Sequence, residues 1–186
     1  MAASGGLNPH TGRTVREVRY RLRDNYTRFY LKYVLPRKAA RESGAFRYTP
    51  LDRLPGWDAI MGLQFENLVL NNADALIEAL GLDKSLIISA APYRKQMRRG
   101  SSTSDGGCQI DLLLQLKQAL YVIEVKRRAT IDSSVTDDVL EKVKRLPNPR
   151  GLSVRPVLVY EGILSPAVNE NGVFVAALRA SDLLLR

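Results

Sequence analysis

The chain has 186 residues, with 28 Lys and Arg against 19 Asp and Glu, a formal charge of +9, and a sequence pI near 9.9 with 45% hydrophobic residues. That is enough chain for one full-sized core plus an attached segment, and the basic balance favours a polyanion as partner. A single cysteine, Cys108, and a single histidine, His10, exclude an internal disulfide, a zinc finger and a His-based triad. The N-terminus has no signal-peptide core and no apolar run approaches membrane-spanning length, so the expected location is cytoplasmic, with no membrane partner.

Residues 1–14 are small, polar and Gly-rich and read as a flexible or truncated entry segment. VRYRL then suggests a short strand, and Asn25–Val34 a packing helix on which Tyr26, Phe29, Tyr30 and Tyr33 recur at helical spacing. Pro36 through Pro55 reads as a connecting loop, so that residues 1–55 form an N-terminal extension and residues 56–186 the main domain.

The longest helical pattern runs from Trp57 to Leu80, with Asp58 as expected N-cap, Met61, Phe65, Leu68, Val69, Leu76 and Leu80 on one stripe, and Gly81 as the stop. Glu66 sits at the edge of that stripe and is expected to be partly desolvated. Leu86–Ala91 reads as a strand, followed by a basic loop, PYRKQMRRGSSTSDGG, that carries Arg94, Lys95, Arg98 and Arg99. Two strands come next, CQIDLLLQL and ALYVIEVK, then a helix from Val135 to Leu146, a strand from Val154 to Tyr160, a final strand from Val173 to Leu178 and a short helix at Asp182–Leu185. The strand, helix, strand order fits a parallel crossover. On the helix, Val135, Val139, Val143 and Leu146 face inward, which leaves Lys142, Lys144 and Arg145 for the solvent face.

The two central strands fix their own register if they turn at Lys117 and Gln118. Ile110, Leu112, Leu114 and Leu116 then oppose Val125, Ile123, Tyr121 and Ala119 as one apolar face, and a one-residue slip would ruin the match. In that register Asp111 lies opposite Glu124 on the other face, with Lys126 two residues along. Opposed carboxylates repel, and the repulsion is relieved by a shared proton, by the nearby lysine, or by a divalent cation between the two acids.

An acid on the first helix, D on one strand and E-x-K on the next, in the order found here, resemble the PD-(D/E)XK nuclease superfamily. The resemblance implies an α/β, restriction-endonuclease-like core of helix, three antiparallel strands, helix and strand, preceded here by a short N-terminal helical extension. It implies Asp111, Glu124 and Glu66 as metal-binding and catalytic acids for Mg²⁺, with Mn²⁺ as substitute, Lys126 as catalytic lysine and Gln109 as accessory. Ile110 stands where the family motif has Pro. Because that superfamily commonly works as dimers on duplex DNA, a homodimer is a further expectation. A second resemblance covers nearly the whole chain: YRLRDNYTRFYLKYVLP, LPGWDAIMGLQFENLVLNN, CQIDLLLQL, YVIEVK and RPVLVYEG are similar to the C-terminal region of prokaryotic AAA-type ATPases. No G-x-x-x-x-G-K-[ST] motif is present, so this resemblance implies an ATPase module in trans, or a tail or fragment of one.

Arg94, Lys95, Arg98, Arg99, Arg127 and Arg128 read either as a phosphate-binding rim around the acids or as solvated positions. The expected activity is Mg²⁺-dependent hydrolysis of DNA phosphodiesters. The alternative is a catalytically inactive interaction domain with the same fold, docking on DNA or a partner protein. A winged-helix DNA reader fits less well, since Thr14–Tyr33 is too short to make one.

Overall fold

The structure is a computed structural model that describes residues 2–7, 14–45, 47–95 and 106–184. It is an α/β arrangement built on a five-stranded mixed sheet. No described helix is long and apolar enough to cross a membrane.

The chain opens with a two-stranded hairpin, β1 (Ala2–Leu7) antiparallel to β2 (Thr14–Arg21). The reading of the first residues as unfolded is therefore corrected for Ala2–Leu7. AASGGL carries no alternation for a pattern to detect, yet a strand needs only a partner for its backbone groups.

Asp24 caps the next helix, α1 (Asn25–Phe29), accepting from the Tyr26 and Thr27 amides. The helix then widens to a π turn at Tyr30–Val34 and tightens to a 3-10 turn at Leu35–Arg37. Pro36 lies within that tight turn, and a proline has no N–H for the i−4 carbonyl, which disrupts regular helical bonding there. A short α2 (Lys38–Glu42) follows, so the expected loop after Pro36 is helical as far as Glu42. Of the aromatic stripe, Tyr33 is buried and Phe29 packs beside it, against Leu54, Trp57 and Ile60. Tyr26 is 68% exposed and lies outside that packing.

Helix α3 (Trp57–Asn71) begins one residue ahead of its expected cap, after Gly56 in the left-handed conformation, and Asp58 falls in its first turn. Asn72 interrupts the long pattern, its side-chain amide donating to the Leu68 carbonyl at 2.7 Å, and α4 (Ala73–Ala79) resumes beyond it. Buried Asn67 donates to the Leu22 carbonyl at 2.8 Å and to Asn25 Oδ1 at 3.1 Å. This amide pair ties the start of α1 to the middle of α3.

The sheet runs in the order β3 (Ile87–Lys95), β4 (Cys108–Leu116), β5 (Ala119–Ile131), β6 (Ser153–Leu164) and β7 (Ala176–Arg179). The first three strands are antiparallel. Helix α5 (Ser134–Arg145) joins β5 to β6, which run parallel, and α6 (Pro166–Glu170) lies between the strands of a second parallel pair, β6 and β7. A short α7 (Ala180–Leu184) follows.

Both faces of the sheet are covered, so the central strands read as nearly continuous apolar runs. On one face, Phe65, Val69, Leu76 and Ile77 pack on Leu112, Leu114, Tyr121, Ile123, Val157 and Val159. Val143 of α5 and Leu146 just beyond it pack on Ile110, Leu113, Leu120 and Val122 on the other face.

The expected β4–β5 register is present: Leu112 pairs with Ile123, Leu113 with Val122, Leu114 with Tyr121 and Gln115 with Leu120. The expected single apolar face is not, because Ile110 lies with the α5 cluster and Leu112 with the α3 cluster. The cause is a bulge against β3. Ala91 pairs with Leu113 and Tyr93 with Ile110, so two residues, Asp111 and Leu112, stand against Pro92 alone. Proline has no N–H for the ladder, and a bulge tolerates its absence.

Candidate functional site

The bulge places Asp111 where β4 and β5 stop pairing. Two residues beyond Ile123, the last β5 residue of the ladder, the Val125 amide donates to Asp111 Oδ2 at 2.9 Å, so a side chain and not the β4 backbone receives it. Asp111 is 9% exposed and Glu124 1%. Burial, reinforced by the charge of Glu124, pushes the Asp111 carboxyl up to about 7, against the opposing pull of the Val125 amide and Lys142.

Two ammonium groups meet the Glu124 carboxylate. Lys126 Nζ lies 3.0 Å from Oε1, and Lys142 Nζ lies 2.5 Å from Oε2. Lys126 also reaches Asp138 Oδ2 at 3.8 Å. Burying one carboxylate with two cations leaves the trio with a net positive charge, next to an aspartate held on the edge of ionisation.

Lys142 was expected on the solvent face of α5, and the structure corrects that. It follows Val139 by three positions and precedes Val143 by one, so it shares the inward side of the helix. Counting the i+3 neighbours of Val135 and Val139 would have found Asp138 and Lys142 together. Lys144 and Arg145 do lie outside, paired with Glu141 at 2.8 and 3.3 Å.

Glu66 is half-buried on α3. Burial raises its pKa, Arg21 and Arg28 oppose the rise, and Glu124 adds to it. It therefore shares the electrostatic field of the pair, but among the described residues no three acids, histidines or cysteines converge closely enough to hold an ion between them. Arg21, at the end of β2, was not anticipated here. Burial lowers its pKa while Glu66 opposes the fall, and its Nη1 is buried without a hydrogen-bond partner.

The basic positions separate into two places. Arg94 and Lys95 belong to strand β3, not to a loop, and pair with Gln109 and Cys108 at the start of β4. Arg94 and Gln109 are exposed. Arg98 and Arg99 lie outside the described residues. Arg127 and Arg128 are exposed at the same end of the sheet but on its β5–β6 side, where they line a cleft of about 560 Å³ with Asp58, Ala129, Glu161 and Gly162. A second bulge shapes this end: Arg127 pairs with Glu161 and Thr130 with Ile163, leaving Arg128 and Ala129 against Gly162.

No family model matches the chain, and no curated protein matches it. Among solved structures, the crystal structure of protein VC1899 from Vibrio cholerae is similar over 80% of this chain and 39% of its own, with 15% identity and a TM-score of 0.47. The chain thus spans well under half of that protein's length.

Proposed function

We propose that this chain is a metal-dependent nuclease domain of the PD-(D/E)XK kind that hydrolyses DNA phosphodiesters. The observation that carries the reading is the buried pair Asp111 and Glu124 at the splayed end of β4 and β5, with the Lys126 ammonium on Glu124 Oε1 at 3.0 Å. Burying two like charges side by side is unfavourable and is found where function requires it more often than where packing does.

The donor chemistry suits a hard cation. Asp111 and Glu124 offer carboxylate oxygens, and the single thiol of the chain, Cys108, is buried and donates to the Lys142 carbonyl at 3.4 Å. Mg²⁺ is commonly bound by one or two carboxylates while keeping waters, so two acids are enough. Such an ion, when bound, supplies Lewis acidity at a phosphoryl oxygen and lowers the pKa of a coordinated water. Asp111 and Glu124 would hold it, Lys126 would orient the attacking water, and Glu66 would bond to the outer hydration. Arg94, Lys95, Arg127 and Arg128, with Arg98 and Arg99, would contact the phosphate backbone. The ATPase module in trans and the homodimer remain partner proposals of the two resemblances.

A second reading, a nuclease-derived interaction domain without catalysis, is favoured by one observation: both oxygens of Glu124 are already held by lysines. Incubation with supercoiled plasmid separates the two. The hydrolase reading predicts nicking by the wild type in Mg²⁺ or Mn²⁺, its loss with EDTA, and a fall of about 100-fold or more in Lys126→Ala. A wild type that leaves the plasmid intact, or a Lys126→Ala variant that nicks at the wild-type rate, would overturn it.

A further inference from the structure

The arrangement around Glu124 assigns a role to a residue outside the D…E-x-K motif. We propose that Lys142 is a positioning residue that guards the acidic pair: its ammonium occupies the Glu124 oxygen that a divalent cation would need, so cation binding requires Lys142 to withdraw. The proposal rests on the hydrolase reading above.

Three observations support it. The first is the division of labour at Glu124, where Lys126 takes Oε1 and Lys142 takes Oε2. The second is that the two lysines are differently provided for. Lys126 has Asp138 as a second carboxylate at 3.8 Å, whereas the only ion pair of Lys142 among the described residues is with Glu124.

The third concerns what can move. The backbone of α5 at this point is fixed: Cys108 Sγ donates to the Lys142 carbonyl, the neighbouring Val139 is fully buried, and Val143 packs on the sheet. The Lys142 side chain is 23% exposed while that of Glu124 is 1% exposed, so the carboxylate has no route to solvent but the ammonium does. A lysine side chain keeps its stem on apolar surface while its charged end relocates by rotamer change alone. Exchange of one cation for another on Oε2 also leaves the buried carboxylate neutralised throughout, which avoids the cost of an unpaired buried charge.

The test is Mn²⁺ titration by calorimetry of the full chain, comparing wild type, Lys142→Gln and Lys142→Arg, with the thermal midpoint of each recorded with and without Mn²⁺. Lys142→Gln keeps a polar group of similar length but removes the competitor. Its expected behaviour is an affinity for Mn²⁺ at least tenfold above wild type, a lower midpoint without Mn²⁺ and a larger rise when Mn²⁺ is added. Lys142→Arg keeps the charge and forks two N–H groups onto the carboxylate, so its affinity should fall below wild type; this arm stands even if Lys142→Gln fails to fold.

A merely structural lysine would lower the midpoint without changing Mn²⁺ affinity. Equal Mn²⁺ affinity in wild type and in every folded variant would therefore overturn the role of Lys142 while leaving the hydrolase reading in place. Absence of Mn²⁺ binding in all three proteins would overturn the hydrolase reading, and this proposal with it.

Discussion

Ionising Asp111 works against the folded protein. Its carboxyl titrates near 7 in the fold against an ordinary value of 3.8, so between those two pH values the folded state holds a proton that the unfolded chain has released. Stability then falls as pH rises through that window and levels off above it, by an amount on the order of 1–4 kcal/mol. Glu66, raised in the same direction, adds a smaller fall of the same sign. Asp111→Asn removes the larger contribution, so its unfolding midpoint should change much less than that of the wild type between pH 5 and pH 8, and should exceed it at pH 8. Thermal unfolding across that pH range checks this. At this scale the sequence was informative where charge met a forced register: Asp111, Glu124 and Lys126 could be brought together from the opposed apolar runs alone. Lys142 could not be found from one strand pair, because its partner comes from a helix whose angular position is set by packing. Arg21 escaped for the same reason, being delivered by the end of a hairpin strand.

Bulges decide where the strand ends point. In β4 the bulge opposite Pro92 shifts Ile110 to the α5 face, so strict alternation, correct for Leu112 and Leu114, fails at the residue next to Asp111. Alternation is a rule for regular strands, and the irregularity here is legible only from the pairing of β3 with β4. In β5 the bulge at Arg128 and Ala129 depends on Gly162, whose φ is +130° and whose missing Cβ would lie 1.9 Å from the Arg128 carbonyl oxygen. Gly162→Ala should therefore destabilise by about 3 kcal/mol, combining backbone strain with a displaced strand, and urea denaturation would show it as a lower midpoint. The junction of α1 and α3 offers a second measurement of the same kind. Asn67→Ala strips the donor from the Leu22 carbonyl and from Asn25 Oδ1 at a buried position, for an expected loss of about 1–3 kcal/mol. Helices α3 and α5 were readable because apolar stripes at a period of 3.6 are dictated by burial. Strand β1, made of small residues, and α2, placed beyond a proline, carry no such pattern.

For the whole molecule, the net charge of +9 becomes a statement about salt. If DNA is the partner, its affinity should fall steeply as salt rises, with a log–log slope of about −0.9 for each phosphate contacted. Replacing Arg127 and Arg128 together by Ala should make that slope shallower by about 2, read by fluorescence anisotropy of a labelled duplex at several salt concentrations. The helix, three antiparallel strands, helix and parallel strand of the core follow the order that the sequence suggested, and β2 overlaps the strand expected at VRYRL, while strand β1 was not foreseen. The most direct test of the central claim uses the opposition between stability and chemistry at Asp111. Asp111→Asn is nearly isosteric, keeps the acceptor oxygen that Val125 needs, and is expected to fold at least as stably as the wild type above pH 7. Single-turnover cleavage of plasmid DNA in Mg²⁺ at pH 8 should nonetheless be abolished in that variant and present in the wild type. Cleavage by folded Asp111→Asn at the wild-type rate would contradict the account.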